Sequence, residues 1–172
     1  MKSKILWKAS RSKKNNSNLF RYEKFLSSKY NFKVTQKYKK LIEWSIKNPK
    51  KFWSSIWDFT KVIGIKNERF EKSNIFFKNK FLKNSKLNFA ENLLKKNDNS
   101  KAITFVSENG FKKVRSWKEL NINVGKVINF FLSIKLKKKD RIAAYLPNLI
   151  ETVESFIATS AIGSIWSSCS PD

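Results

Sequence analysis

The stretch DRIAAYLPNLIETVESFIATSAIGSIWSSCSPD, residues 140–172, decides the fold class. Arg141 to Leu146 is a short apolar run, and Pro147-Asn148 turns the chain and caps the helix after it. Leu149 to Ala161 has helical spacing, with Val153, Phe156, Ile157 and Ala161 on one face. Gly163 ends that helix, and Ser164 to Cys169 is a second apolar run. Two strands joined by one helix through short loops make a βαβ unit, so the strands are expected to be parallel with a right-handed crossover.

Working toward the N-terminus, Ala102 to Val106 and Phe111 to Arg115 read as two strands joined by a hairpin at Glu108-Asn109-Gly110, where Asn-Gly accepts positive φ at low cost. Ser116-Trp117-Lys118-Glu119 is a capping box. It opens a helix to about Ile134 with Leu120, Val124, Val127, Ile128 and Phe131 inward. Lys95 to Lys101 is a polar loop, and Asn88 starts a short helix from Phe89 to Leu94.

The first half reads as helical. Met1 to Ser17 is basic, rich in Ser and Asn, and is expected to be a mobile arm. A helix from about Leu19 to Lys29 turns Leu19, Tyr22, Phe25 and Leu26 to one side. Thr35 is the expected cap of a second helix, carrying Tyr38, Leu41, Ile42, Ser45 and Ile46 on one side. Asn48-Pro49 caps a third, which carries Phe52, Trp53, Ile56, Trp57 and Phe59 and is expected to end near Gly64 in a left-handed cap. Trp44, Phe52, Trp53 and Trp57 recur at helical spacing, which points to packing rather than to base stacking. Glu68 to Lys86 reads as irregular, pinned to an apolar surface by Phe70, Ile75, Phe76, Phe77, Phe81 and Leu82. The fold class is therefore α/β: a mostly helical extension over residues 1–86, then the start of an α/β domain over residues 87–172 with a β-hairpin and one βαβ unit.

Composition narrows the chemistry. Hydrophobic residues make up 41% of the 172, enough for a core. No apolar stretch reaches the ~20 residues that span a bilayer, and Ile5-Leu6-Trp7 is too short for a secretory signal. There is no histidine, and Cys169 is the single cysteine, so a Ser-His-Asp triad, a Cys-His dyad, a Cys/His zinc site and an internal disulfide are all excluded within the chain. A reducing cytoplasm is the simplest compartment. The formal charge of +24 attracts polyanions in general, but only five of the 37 basic residues are arginine. Nucleic-acid readers lean on arginine. The joint excess of Lys, Asn, Ile and Phe fits the codon bias of an AT-rich genome instead, and no specific nucleic-acid partner is expected. The four glycines, Gly64, Gly110, Gly125 and Gly163, form no phosphate-cradling loop.

Three stretches resemble the adenylate-forming acyl-CoA synthetases, and within them the acetoacetate–CoA ligases. FWSSIWDF, Phe52 to Phe59, is similar to a segment of the N-terminal extension of short-chain members. LNFAENLL, Leu87 to Leu94, is similar to the segment that leads into their large domain, and Asp140 to Leu146 with Pro147 resembles a strand that marks the superfamily. The ending WSSCSPD, Trp166 to Asp172, is narrower and carries the acetoacetate assignment. Acetyl- and propionyl-CoA synthetases, the nearest alternative, differ there. A basic RNA- or membrane-surface-binding module is the alternative of another class. The chain departs from the family at Lys135 and Lys139, where glycines are usual; a lysine in a left-handed cap costs on the order of 1 kcal/mol.

The resemblance implies a cytoplasmic ligase that uses ATP, Mg²⁺ and CoA and acts on acetoacetate through an acyl-adenylate. It also implies that the phosphate loop, the metal carboxylate and the catalytic lysine lie C-terminal to WSSCSPD, so no residue here is assigned a catalytic or metal role. Open α/β sheets bind ligands at the carboxyl ends of their strands, and the resemblance implies that the loop here approaches CoA, which makes Ser170, Pro171 and Asp172 candidates for a CoA-proximal loop; the other reading is a turn that only positions the next segment. Cys169 is expected to be a small buried residue, and Trp166 core or pocket wall. A parallel pair without further neighbours leaves a sheet edge open, so the isolated chain is expected to be poorly soluble or partly molten.

Overall fold

The computed structural model describes residues 6–171, and the chain falls into two compact units divided between Ser85 and Lys86. The first contains α1 (Arg11–Asn15), α2 (Asn18–Tyr30), α3 (Tyr38–Lys47) and α4 (Pro49–Phe59), then β1 (Gly64–Ile65), β2 (Arg69–Glu71) and β3 (Lys80–Lys83). The second contains β4 (Lys86–Leu87), α5 (Phe89–Leu93), β5 (Lys101–Val106), β6 (Lys112–Ser116), α6 (Trp117–Ser133), β7 (Arg141–Tyr145), α7 (Ile150–Ala161) and β8 (Ile165–Cys169).

The helices of the first unit bury the predicted faces only in part: Tyr22 and Leu26 of α2, Leu41 of α3 and Trp57 of α4 are buried, whereas Leu19, Tyr38, Ile42, Ile46 and Trp53 are exposed. Tyr22, Leu26, Phe32 and Leu41 form its core, with Phe25, Trp44, Phe52, Ile56 and Phe59 packed around them. Each fully buried aliphatic side chain contributes about 1.5–3 kcal/mol. Ser55 is buried and donates to Phe52 O at 2.7 Å, so the Tyr22 hydroxyl, 2.6 Å from Ser55 Oγ, is left to donate to it. Burial raises the Tyr22 pKa above its ordinary value, against the opposing pull of the Ser55 hydrogen bond.

Several boundaries differ from the sequence reading, each for a local reason. The expected mobile arm contains α1, because Ser10 Oγ accepts from Lys13 N and starts a turn of helix; residues 1–5 of that arm lie outside the described residues. Thr35 does not cap α3. The buried Glu23 carboxylate accepts from the backbone N–H groups of Thr35 and Gln36, at 3.1 and 2.9 Å, and Gln36 sits at φ 52, so the helix begins only at Tyr38. Asn48 donates to Trp44 O at 3.1 Å, serving the end of α3, while Pro49 takes the first position of α4 as predicted. That helix stops at Phe59, and Lys61 rather than Gly64 takes the left-handed conformation. Glu68 to Lys86 is not wholly irregular: β2 and β3 pair antiparallel, and Phe70 stacks on Phe81 with centroids 5.1 Å apart.

The second unit keeps more closely to its sequence pattern. β5 and β6 pair antiparallel, and Gly110 at φ 82 closes the hairpin with Ser107 N donating to Phe111 O at 2.9 Å. The capping box is complete: Ser116 Oγ accepts from Glu119 N, and Glu119 accepts from Ser116 N at 2.8 Å. The backbone N–H and then the hydroxyl of Ser116 hold the Glu119 pKa below its ordinary value. β7 and β8 are parallel, in register from Arg141 opposite Ile165 to Tyr145 opposite Cys169. Leu120, Val124 and Phe131 from α6 meet Ile157 and Ala158 from α7 and Ala90 from α5 in the core. Asn88 accepts from Glu91 N and donates to Ser160 O and Ala161 O, so one amide caps the start of α5 and satisfies the end of α7.

Lys135 and Lys139, where the resemblance leads one to expect glycine, both hold the left-handed conformation, at φ 62 and φ 76. Lys135→Gly and Lys139→Gly are each expected to raise stability by about 0.5–1 kcal/mol, since the relieved strain exceeds the added freedom of the unfolded chain. Denaturant midpoints check this; destabilisation by either glycine contradicts it.

Candidate functional site

The candidate site is the carboxyl edge of the β7–β8 pair. Both strands end together, with Leu146 N donating to Cys169 O at 3.4 Å. Beyond that point the Tyr145 hydroxyl donates to Pro171 O at 3.2 Å and holds the departing chain beside the end of β7. Pro147 O accepts from Leu149 N and from Thr152 Oγ1, at 2.9 and 2.8 Å, which sets the start of α7 against the same edge. Ser170 and Pro171 are exposed there. Asp172 lies outside the described residues.

Trp166 is partly buried, its ring edge-on to Phe156 at 6.2 Å and its Nε1 donating to Ser168 Oγ at 3.1 Å. Cys169, expected to be buried, is exposed. It ends β8, whose only strand partner among the described residues is β7, and nothing further along the sheet covers its side chain.

Behind this edge lies a charged network that sequence reading missed. Glu154, in the middle of α7, is buried. Its Oε1 accepts from Arg115 Nε at 2.9 Å and from Asn123 Nδ2 at 3.0 Å, which joins α7 to β6 and α6. The Glu154 hydrogen bond is the main reason that the Arg115 pKa is raised. One turn earlier Glu151 bonds Lys113 at 2.5 Å and lies 3.6 Å from Arg115. The Lys113 bond holds its pKa below the ordinary glutamate value. A signal was present: Glu154 sits on the inward helix face between Val153 and Ile157, and a buried carboxylate requires a partner.

This arrangement positions backbone and does not supply reacting groups. Among the described residues no three His, Cys, Asp or Glu side chains gather to hold a metal. No described helix is long and apolar enough to cross a membrane. What the edge offers is an exposed polar strand end beside a helix start.

No family model matches the chain. Among curated proteins it is 35% identical over 131 residues to the acetoacetyl-coenzyme A synthetase of Rhizobium meliloti, an alignment covering 76% of this chain and 20% of that protein. To the acetoacetyl-CoA synthetase of Gallus gallus it is 30% identical over 177 residues, which cover all of this chain and 26% of the other. The solved acetoacetyl-CoA synthetase of Streptomyces lividans superposes with a TM-score of 0.87 at 22% identity, over 99% of this chain and 27% of that one. The chain thus spans about a fifth to a quarter of the length of the relatives it matches, and its fold is that of the N-terminal part of the Streptomyces structure. The resemblance read from the sequence to the acetoacetate–CoA ligases holds over the whole chain.

The buried network makes a stability prediction. Arg115→Ala is expected to cost about 3 kcal/mol by stranding the buried Glu154, and adding Glu154→Gln to it is expected to recover most of that loss. Urea unfolding of the single and double variants measures this, and an equal loss in both would show that Arg115 acts through packing alone.

Proposed function

We propose that this chain is the N-terminal part of an acetoacetate–CoA ligase, the enzyme that joins acetoacetate to CoA with conversion of ATP to AMP and diphosphate. The observation that carries the reading is the likeness to proteins of that name, over 76% of the chain in one and all of it in another. WSSCSPD, Trp166 to Asp172, supports the acetoacetate assignment within the family. In this reading residues 1–86 are the helical N-terminal extension, and residues 87–172 open the AMP-binding domain. A cytoplasmic location accords with a single cysteine that has no disulfide partner.

The reaction has two halves. A carboxylate oxygen of acetoacetate attacks the α-phosphorus of ATP, diphosphate leaves, and an acyl-adenylate remains. The CoA thiol, losing its proton, then attacks the acyl carbon and AMP leaves. The described residues of this chain do not fit Mg²⁺ or a triphosphate, since they gather no metal-binding cluster and contain no glycine-rich loop. No adenylation step is therefore routed through this chain. Its part is to build the first parallel strands and their carboxyl edge, and Ser170, Pro171 and Asp172 are the residues placed to approach CoA.

Diphosphate exchange separates the two halves. The 172-residue chain alone is expected to give no acetoacetate-dependent exchange of diphosphate into ATP, whereas a longer polypeptide beginning with it gives that exchange. Exchange by the chain alone would overturn the division of labour. In the longer protein, Ser170→Ala is expected to raise the KM for CoA severalfold and leave diphosphate exchange unchanged, because adenylation precedes CoA. Loss of exchange would move Ser170 away from the CoA role.

A further inference from the structure

The sequence reading expected Ile75, Phe76 and Phe77 to pack against an apolar surface, and they do not. Phe76 is 84% exposed and Phe77 81%, with Ile75 at 43%. They stand at the tip of the β2–β3 connection, on a single 3₁₀ turn from Phe76 to Lys78. The tip is built rather than loose. Ser73 N donates to Asn79 Oδ1 at 2.8 Å, Asn79 Nδ2 donates to Phe76 O at 2.9 Å, and Ile75 N donates to Ser73 Oγ at 3.1 Å. Beneath it Phe70 stacks on Phe81, which meets Trp53 at 5.3 Å. Phe76 also lines a groove of about 430 Å³ with Trp53, Phe70, Phe81, Lys47 and Lys72.

Charge surrounds this apolar tip. Lys72 and Lys78 flank it, Lys47 lines the groove, and none of the three has a carboxylate within ion-pair reach among the described residues. Twenty-three lysines and arginines against five carboxylates give residues 1–85 a formal charge of +18, while residues 86–172 carry +6. Four of those five carboxylates, Glu43, Asp58, Glu68 and Glu71, are already paired with lysine or arginine, and Glu23 is buried. The positive field of the first unit is thus uncompensated at the tip.

We propose that the Ile75-Phe76-Phe77 tip is a peripheral membrane contact, which inserts its aromatic rings among the headgroups of an anionic bilayer while the flanking lysines meet the lipid phosphates. Aromatic rings standing clear of a surface and ringed by lysine suit a membrane interface. RNA fits less well, because single-strand binding combines groove aromatics with arginine, and the lining of this groove has lysine but no arginine. A second copy fits less well, because two surfaces of like charge repel. The membrane contact does not depend on the ligase reading.

Vesicle flotation tests it, with the 172-residue chain and with the longer protein that carries it. Both are expected to bind vesicles of phosphatidylcholine with phosphatidylglycerol, to ignore phosphatidylcholine alone, and to release in high salt. The double substitution Phe76→Ser and Phe77→Ser is expected to weaken binding about tenfold or more, and Lys72→Glu with Lys78→Glu to weaken it similarly. Phe76→Trp provides a check that does not depend on loss: its emission should shift to the blue on anionic vesicles and be quenched by brominated lipid. The proposal is overturned if the serine variant binds as well as the parent, if charge makes no difference, or if an RNA oligonucleotide is bound more tightly than the vesicles. It is also overturned if only the short chain binds, since the tip would then be covered in the longer protein.

Discussion

The second unit depends on one demand: a buried carboxylate in the middle of α7 must be neutralised. Glu154 is out of water, so Arg115 of β6 and Asn123 of α6 have to converge on it. That convergence fixes three elements at once. It seats α6 against α7, where Leu120 and Val124 meet Ile157 and Ala158, and it sets the hairpin strand β6 against the helix that crosses between the parallel strands. Such a pair specifies an arrangement more than it strengthens one, because the attraction is largely offset by desolvation. The apolar faces supply the free energy, and the charge pair ties β6, α6 and α7 together.

The carboxyl edge results from that placement. A helix held by its middle delivers its first turn beside the ends of β7 and β8, where Pro147 O gathers Leu149 N and Thr152 Oγ1. The Tyr145 hydroxyl then draws Pro171 back against β7. The edge is therefore a backbone feature, made by elements whose own side chains are spent on packing and capping.

Much of this was legible because local and tertiary preferences agree. The capping box at Ser116 and Glu119, the Asn-Gly hairpin and the helix with Val153 and Ile157 inward each carry a short-range signal that the packing reinforces. The two left-handed lysines, Lys135 and Lys139, were readable only through the resemblance, which puts glycine at both places. What escaped was set at a distance. Thr35 looked like a cap, and its Oγ1 does accept from Lys37 N, but the Glu23 carboxylate, remote in sequence, holds the N–H groups of Thr35 and Gln36, and α3 starts only at Tyr38. Cys169 looked buried because its strand is apolar, yet exposure depends on neighbours that a strand pattern does not name. Phe76 and Phe77 looked like anchors because aromatic residues usually bury, whereas here hydrogen bonds from Asn79 and Ser73 shape the turn that holds them outward.

We propose that this chain frames the first strands of an acid–thiol ligase acting on acetoacetate. Product analysis tests it most directly: a longer polypeptide carrying this chain at its N-terminus is supplied with acetoacetate, acetate, ATP and CoA, and the thioester and nucleotide products are identified by mass spectrometry. Acetoacetyl-CoA together with AMP and diphosphate, well ahead of acetyl-CoA, is the predicted result. Acetyl-CoA as the dominant thioester, or ADP and phosphate in place of AMP and diphosphate, would contradict it.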